Sequence, residues 1–173
     1  METVPAKAIN TNTKGIYAMP IALCPAIDDM PSLMYINQDW LTKLGLKAPT
    51  NVDELYNVLK AFKTKDPNGN GKSDEIPMLG GCLGKGNDVL AYMMNAFVYF
   101  SDNNNYNVTD GKVWDPVVSD EFRQGLIYIN KLVKEGLVSD LCFTLAASSE
   151  FAALNSPADG VERVGIFCGY PDS

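Results

Sequence analysis

The fold is decided by residues 50–79, TNVDELYNVLKAFKTKDPNGNGKSDEIPML, whose character changes twice along the stretch. Apolar residues first recur at helical spacing, at Val52, Leu55, Leu59 and Phe62. Thr50 and Asp53 can form a capping box before them, so a helix is predicted from about residue 52 to residues 63–65. After a polar segment, residues 76–79 are apolar and predicted to be extended. The stretch therefore predicts a helix, a polar loop and a strand, in that order.

The polar segment, Asp66-Pro-Asn-Gly-Asn-Gly-Lys-Ser-Asp-Glu75, has the spacing of a calcium-binding loop. Oxygen-bearing side chains occupy its first, third, fifth and ninth positions, and Gly71 stands at the sixth, where such a loop turns sharply. Calcium prefers several hard oxygen ligands, and this spacing directs alternate side chains to one centre. The predicted ligands are Asp66, Asn68, Asn70, the main-chain carbonyl of Lys72, Asp74 and Glu75.

The segment departs from an EF-hand loop at its twelfth position, where Pro77 stands in place of a bidentate Glu. Glu75 is predicted to replace that far-end carboxylate. Without a cation, the carboxylates of the loop would repel one another. The residues leave open an alternative, an Asx and glycine turn that holds no metal. A single loop without a paired second hand is expected to stabilise the fold rather than to sense calcium.

Composition narrows the possible functions. The 173 residues carry 14 Lys and Arg against 21 Asp and Glu, a net charge of −7, and no histidine. The acidic balance argues against nucleic acid as a partner, because phosphates need clustered basic residues. Without histidine, neither a Ser-His-Asp nor a Cys-His nucleophile can form, and no metal site can use imidazole. An enzyme is therefore disfavoured, although carboxylate pairs such as Asp110 with Asp115, or Asp120 with Glu121, are available.

The cysteines and the apolar stretches give two further expectations. None of the four cysteines forms a C-x-x-C pair, and their apolar neighbours favour buried free thiols over disulfides or a zinc site. These cysteines are Cys24, Cys82, Cys142 and Cys168. The longest apolar-rich stretch, residues 89–100, is too short to cross a bilayer.

The remaining segments predict an α/β fold with a small mixed sheet flanked by helices. Residues 1–15 are polar and are predicted to be a flexible lead-in. Further strands are predicted at 16–24, 33–36 and 164–168. Further helices are predicted from Asn37 to Gly45, from Asn87 or Asp88 to Tyr99, and from Ser119 to Gly136. The inward side chains are predicted to include Trp40, Tyr92, Tyr99, Phe122, Leu126, Ile129 and Val133.

Two loops are candidates for contact with a ligand. The glycine-rich segment Gly80-Gly-Cys-Leu-Gly84-Lys85-Gly86 lies between a predicted strand and a predicted helix, where helix N-terminal amides point outward. Trp114 follows a turn at residues 110–111 and is a candidate either for stacking on a sugar ring or for simple packing. From these loop positions the predicted ligand-binding residues are Gly81, Asn87 and Trp114.

Several stretches, in order, resemble bacterial extracellular solute-binding proteins of family 1, the oligosaccharide-binding kind that serves ABC importers. They are residues 16–20, 33–46, 48–55, 66–77, and 136–138 with 164–167. The resemblance implies a periplasmic-binding-protein-like fold of type II, in which two α/β lobes joined by a hinge close on a sugar. Residues 16–173 would form one of these lobes, and the calcium loop would be structural.

The resemblance also implies a setting and partners. The partners would be the second lobe, the permease subunits of the importer and a sugar or oligosaccharide. A leader and a lipid-anchoring cysteine would precede this stretch and hold the protein at the cell surface. A single lobe is expected to bind sugar weakly or not at all. The alternative is a calcium-stabilised accessory domain of a secreted carbohydrate-active enzyme, which would need a carboxylate pair in a cleft.

Overall fold

The computed structural model describes residues 33–80, 89–100, 106–144, 154 and 157–169. The predicted lead-in at 1–15 and the predicted strand at 16–24 lie outside these ranges. Within them, the strands are β1 (Leu33–Ile36), β2 (Ile76–Leu79), β3 (Asn107–Thr109), β4 (Lys112–Trp114) and β5 (Val164–Gly169). The α-helices are α1 (Gln38–Leu44), α2 (Val52–Thr64), α3 (Val89–Met94) and α4 (Asp120–Lys134), and short 3-10 helices cover Pro116–Val118 and Asp140–Phe143.

A mixed three-stranded sheet in the order β1-β5-β2 organises these elements. The central strand β5 runs antiparallel to β1 and parallel to β2. Tyr35 of β1 lies opposite Phe167 of β5, and their rings stack with centroids 4.9 Å apart. Strands β3 and β4 form a separate antiparallel hairpin. The prediction of a small mixed sheet flanked by helices is therefore confirmed.

The core lies between this sheet and one face of each of the longer helices. Trp40 of α1 is 1% exposed and meets Phe62 of α2 edge-to-face, with ring centroids 5.2 Å apart, as its predicted core position requires. Phe62 in turn packs against Gly165 of β5. The buried face of α2 consists of Leu55, Val58, Leu59, Ala61 and Phe62. Its helical spacing in the sequence thus predicted the side that faces the sheet.

Three predicted helix boundaries are confirmed by their capping contacts. The Asn37 side chain accepts a hydrogen bond from the Trp40 amide at the start of α1, and Gly45 ends that helix in the left-handed conformation at φ +66°. Ser119 accepts from the Phe122 amide at the start of α4. These signals are local, so the sequence is enough to place them.

The start of α2 is one residue later than the predicted capping box. Asn51, not Thr50, is the N-cap, and its side chain accepts from the Glu54 amide at 2.9 Å. The Glu54 carboxylate reaches back to the amide and the hydroxyl of Thr50, at 2.8 and 2.9 Å. The predicted role of Asp53 was therefore wrong, because Glu54 is the longer side chain and occupies the third helical position.

We expect Asn51→Ala to lower the free energy of unfolding by about 1 kcal/mol, the usual cost of losing an N-cap side chain. Thr50→Ala removes only an exposed hydroxyl contact and is expected to cost less than half as much. Denaturant unfolding of both variants measures the difference. If Thr50→Ala lowers the free energy of unfolding by more than Asn51→Ala does, Thr50 is the main capping residue, as the sequence predicted.

Two predictions for the α3 and α4 region were wrong. Helix α3 ends at Met94 rather than Tyr99, because the Asn95 amide group donates to the carbonyls of Ala91 and Phe100 and draws the chain into a turn. Tyr92 and Tyr99 are 37% and 65% exposed, so neither is a core residue.

In α4, Ile129 is buried and Phe122 and Val133 pack against the core, as predicted. Leu126 instead is half exposed, and Gly125 is buried in its place. The helix turns Gly125 toward the Met94 side chain, where a larger residue would collide.

Cys142 and Cys168 are buried, as predicted, and Cys24 and Cys82 lie outside the described residues. None of the helices in the described ranges is long and apolar enough to span a membrane.

Candidate metal centre

The predicted metal loop connects α2 to β2 and closes around its first carboxylate. Asp66 has a φ of +45°, and its Oδ1 accepts from the amides of Gly69 and Asn70 at 2.9 and 3.1 Å. Its Oδ2 accepts from the Gly71 amide at 2.9 Å. Gly71 has a φ of +74°, which a residue with a Cβ adopts only under strain. The sharp turn predicted at the sixth position is therefore present.

The two asparagines of the loop link its backbone to its ninth position. Asn68 Oδ1 accepts from the Asn70 amide at 3.0 Å, and Asn70 Oδ1 accepts from the Lys72 amide at 2.8 Å. Both Nδ2 groups donate to Asp74, at 3.1 Å from Asn68 and 3.0 Å from Asn70. These hydrogen bonds join the third, fifth and ninth positions to one another, while the carboxylate at the first position accepts from backbone amides of the loop.

Asp74 also receives a donor from a distant part of the chain. Arg163, the residue before β5, places its Nε 2.9 Å from Asp74 Oδ2. The amide donors of Asn70 and Asn68 lower the pKa of Asp74, and Arg163 adds to this effect. Asp74 is therefore held in its ionised form, the form that a cation binds.

Glu75 carries the one unsatisfied oxygen that the structure describes in this loop. Its Oε1 is buried and has no hydrogen-bond partner. Burial raises the pKa of Glu75, and the neighbouring charges of Asp66 and Asp74 raise it further. A contact with the Asp66 carboxyl group acts in the same direction. A partly buried carboxylate beside another carboxylate is costly unless a cation or a proton neutralises it.

The donor set fits calcium in type. Hard oxygens dominate it, and Glu75, which carries the orphaned oxygen, interacts with the first carboxylate of the loop. In the described part of the chain, no three side chains of His, Cys, Asp or Glu come close enough to hold a metal. Asp74 accounts for this, since it is turned toward the two asparagine amides and Arg163 rather than toward Asp66. For all predicted ligands to meet at one ion, the amide groups of Asn68 and Asn70 would have to rotate.

The predicted ligand-binding residues are only partly described. Gly81 and Asn87 lie outside the described residues. Trp114 is half buried at the end of the β3–β4 hairpin, and its Nε1 donates to Thr109 Oγ1 at 3.0 Å. That contact fixes the indole along the hairpin. Trp114 as a sugar-stacking residue stays a prediction.

The carboxylate pairs that a glycosidase would need are engaged elsewhere or exposed. Asp110 lies in the hairpin turn at φ +51°, and Asp115 caps the short helix Pro116–Val118. Asp120 and Glu121 are exposed in the first turn of α4. Neither pair lines a cleft among the described residues, so the alternative of an enzyme accessory domain has no structural support.

The chain is similar in sequence to two known bacterial proteins. The chain is 39% identical over 120 residues to the fructooligosaccharide ABC transporter substrate-binding protein FusA of Streptococcus pneumoniae, covering 68% of this chain and 22% of FusA. It is 36% identical over 137 residues to lipoprotein LipO of Bacillus subtilis, covering 76% of this chain and 25% of LipO. No family model matches the chain.

Solved structures agree with these relatives. An extracellular solute-binding protein from Bifidobacterium longum subsp. infantis matches with a TM-score of 0.69 and 34% identity, covering 81% of this chain and 29% of that protein. An EF-hand mutant of FusA in complex with fructo-nystose matches with a TM-score of 0.69 and 31% identity, covering 81% and 28%.

The chain is a homologue of ABC-transporter substrate-binding proteins. The resemblance noted from the sequence is confirmed, and so is the α/β fold. As a substrate-binding protein homologue, the chain spans about a quarter of the length of the curated relatives it matches.

Sequence reasoning did not identify Arg163 or Asp159 in this homologue. Arg163 Nη1 and Nη2 bind the Asp159 carboxylate at 3.0 and 2.6 Å, while its Nε binds the loop. Arg163 lies one residue before a predicted strand, and an acidic loop is an evident partner for a cation. Only the pairing of β5 with β2 brings the two together, and that pairing cannot be read from local patterns.

The ion pair predicts an acid-sensitive contribution to stability. Hydrogen bonds from Arg163 and from the backbone of Val161 lower the pKa of Asp159 to about 2, from an ordinary value of 3.8. Because the pKa is lower in the folded chain, this stability is present above pH 3.8 and is lost as the pH falls through 2. Between pH 4 and pH 2, we expect the melting temperature of Asp159→Asn to change less with pH than that of the unmodified chain.

Thermal melts of both proteins across this range measure the effect. Asp39→Asn, on the exposed side of α1, is the matched control and should follow the unmodified chain. If Asp159→Asn also follows the unmodified chain at every pH, the ion pair does not contribute to folding in solution.

Proposed function

We propose that the chain forms one lobe of the substrate-binding component of an ABC importer for oligosaccharides, with residues 1–15 as a lead-in and residues 16–173 as the lobe. The observation that carries the proposal is the agreement of sequence and fold along most of the chain. At 39% identity over 68% of the chain, the relative is a fructooligosaccharide-binding transporter protein. The FusA mutant structure that shares the fold holds fructo-nystose.

The proposal includes a non-enzymatic role, partners and a location. The permeases of the importer, a second lobe and an oligosaccharide are the proposed partners. A location outside the cell, with a lipid anchor, is supported by one relative that is named a lipoprotein and by a solved one described as extracellular. The absence of histidine in the chain and the positions of its carboxylates favour binding over catalysis.

The gene and its product test this proposal together. We expect the reading frame to encode a second α/β lobe and neighbouring genes to encode permeases. Isothermal titration of the complete product with fructooligosaccharides and other glycans should show binding of one class. The 173-residue chain alone should bind the same glycan more weakly, because it supplies only one wall of the cleft. Release of shorter sugars from the panel by the product would contradict a pure binding role.

We further propose that the loop between α2 and β2 binds one structural calcium ion. Its ligands would be Asp66, Asn68, Asn70, the Lys72 carbonyl, Asp74 and Glu75. The loop geometry, the unpartnered Glu75 oxygen and the EF-hand named in FusA support this assignment. An ion there would neutralise the loop and fix the exit of α2 relative to β2.

Direct titration of the chelator-treated chain with calcium and with magnesium tests this assignment. We expect one calcium site and much weaker magnesium binding, because magnesium is smaller and requires nearly ideal octahedral geometry. A chain that binds neither ion, by titration and by mass analysis of the purified protein, would show that the loop is an Asx turn.

A further inference from the structure

Arg163 is fully engaged as a cation at the edge of the metal loop. Its Nε donates to Asp74 Oδ2 at 2.9 Å, and its two Nη atoms hold the Asp159 carboxylate. Nη1 also donates to the Val161 carbonyl at 3.1 Å. The Arg163 carbonyl accepts from the Ile76 amide at 2.7 Å, so the residue is fixed at the start of the β2–β5 pairing. The guanidinium is therefore held in place before any metal binds.

Asp74 has donors on both of its oxygens. Oδ1 accepts from the amide groups of Asn68 and Asn70, and Oδ2 accepts from Arg163 and Asn70. An ion that binds Asp74 has to displace some of these donors. The asparagine side chains can rotate and offer an oxygen, but a guanidinium has no acceptor and always carries its charge. Arg163 thus opposes a cation at Asp74 by both position and charge.

We propose that Arg163 is an internal counter-ion that competes with calcium for Asp74. It stabilises the empty loop by neutralising one of the three carboxylates Asp66, Asp74 and Glu75, and for the same reason it weakens calcium binding. This inference rests on the calcium site proposed above. Lys43 is a useful comparison, because its Nζ donates to the Pro67 carbonyl at 3.1 Å and so brings a positive charge to the loop without a carboxylate contact.

The test compares Arg163→Gln, Arg163→Lys and Lys43→Gln with the unmodified chain. Each protein is melted in chelator and in calcium, and its calcium dissociation constant is measured by titration. We expect Arg163→Gln to melt lower in chelator, to show a larger rise with calcium, and to bind calcium about three- to tenfold more tightly, as removal of a nearby like charge predicts. Arg163→Lys should bind calcium with an affinity between those of the unmodified chain and Arg163→Gln. Lys43→Gln should change the affinity by less than Arg163→Gln.

The outcomes separate the two proposals. If the unmodified chain neither binds calcium nor gains stability from it, the calcium assignment fails, and this inference fails with it. If the unmodified chain responds but Arg163→Gln binds calcium equally or more weakly, Arg163 positions Asp74 for the ion, and competition is excluded. Equal gains in affinity for Arg163→Gln and Lys43→Gln would show that any positive charge near the loop weakens calcium binding. That result would also overturn the inference.

Discussion

Calcium is expected to raise the melting temperature of the chain by about 5 to 10 °C at a free concentration about 100 times the dissociation constant. Binding to the folded state alone adds about 2.7 kcal/mol to the free energy of unfolding at that concentration. The rise should disappear in chelator and should be much smaller with magnesium. The measurement is a thermal melt followed by circular dichroism in each of the three conditions.

Glu75→Gln is expected to change stability in opposite directions with and without calcium. In the folded chain, burial and then the charges of Asp66 and Asp74 raise the pKa of Glu75 above its ordinary value of 4.5. The ionised side chain therefore lowers the stability of the fold. The chain is most stable below pH 4.5, where Glu75 is protonated, and it loses this stability as the pH rises through the raised pKa. In chelator at pH 7 the neutral amide should melt higher than the carboxylate. In calcium it should melt lower, because a charged ligand has been lost.

Glu121→Gln is the control for this experiment, because Glu121 is exposed in the first turn of α4, outside the loop. It should leave both melts nearly unchanged. If Glu75→Gln melts below the unmodified chain in chelator too, its carboxylate has a partner in solution that the structure does not show. The calcium assignment would then lose its strongest structural support.

Gly165→Ala is expected to lower the free energy of unfolding by about 3 kcal/mol, the upper part of the range for overpacking a core. A Cβ at this position would overlap Cδ2 of Phe62 and lie 2.9 Å from the Pro77 carbonyl oxygen. The second contact is with the backbone of β2, which cannot move away without breaking its pairing with β5. Denaturant unfolding measures the loss, and the melting temperature should fall by roughly 6 to 12 °C.

Gly125→Ala provides a matched control on α4. Its Cβ would also overlap a neighbour, but that neighbour is the sulfur of Met94 at the end of a flexible side chain. Alanine is moreover favoured over glycine in a helix by about 1 kcal/mol. We expect the two effects nearly to cancel. If Gly165→Ala were as mild as Gly125→Ala, strand β5 could shift away from α2 without penalty.

Local chemistry explains which parts of the fold the sequence could predict. The caps at Asn37, Gly45 and Ser119 act within a few residues, and each was placed correctly. The end of α3 was not, because apolar residues continue past Met94 while the turn depends on the side chain of one residue, Asn95. Apolar spacing indicates that a helix has a buried face, but an amide that bonds backbone carbonyls can end the helix first.

In the candidate site, too, the sequence predicted the local features and missed the long-range ones. The spacing of Asp66, Asn68, Asn70 and Asp74 predicts a calcium-binding loop; the structure shows its tight turn, and the calcium site stays a prediction. Arg163 was missed because it reaches the loop only through the pairing of β5 with β2. The orientation of Asp74 could not be predicted from the sequence either, because it depends on a hydrogen bond to Arg163, a residue 89 positions away. Long-range pairing and side-chain rotation therefore had to come from the structure.

The place of β5 in the sheet has a consequence for synthesis on the ribosome. Strands β1 and β2 do not pair with each other, and both pair with β5, which follows them in the chain. Until Val164–Gly169 leaves the exit tunnel, neither of the two earlier strands has a partner in this sheet among the described residues. The described helices precede β5 and can form before this sheet assembles, so chaperones that shield strand edges would act in that interval.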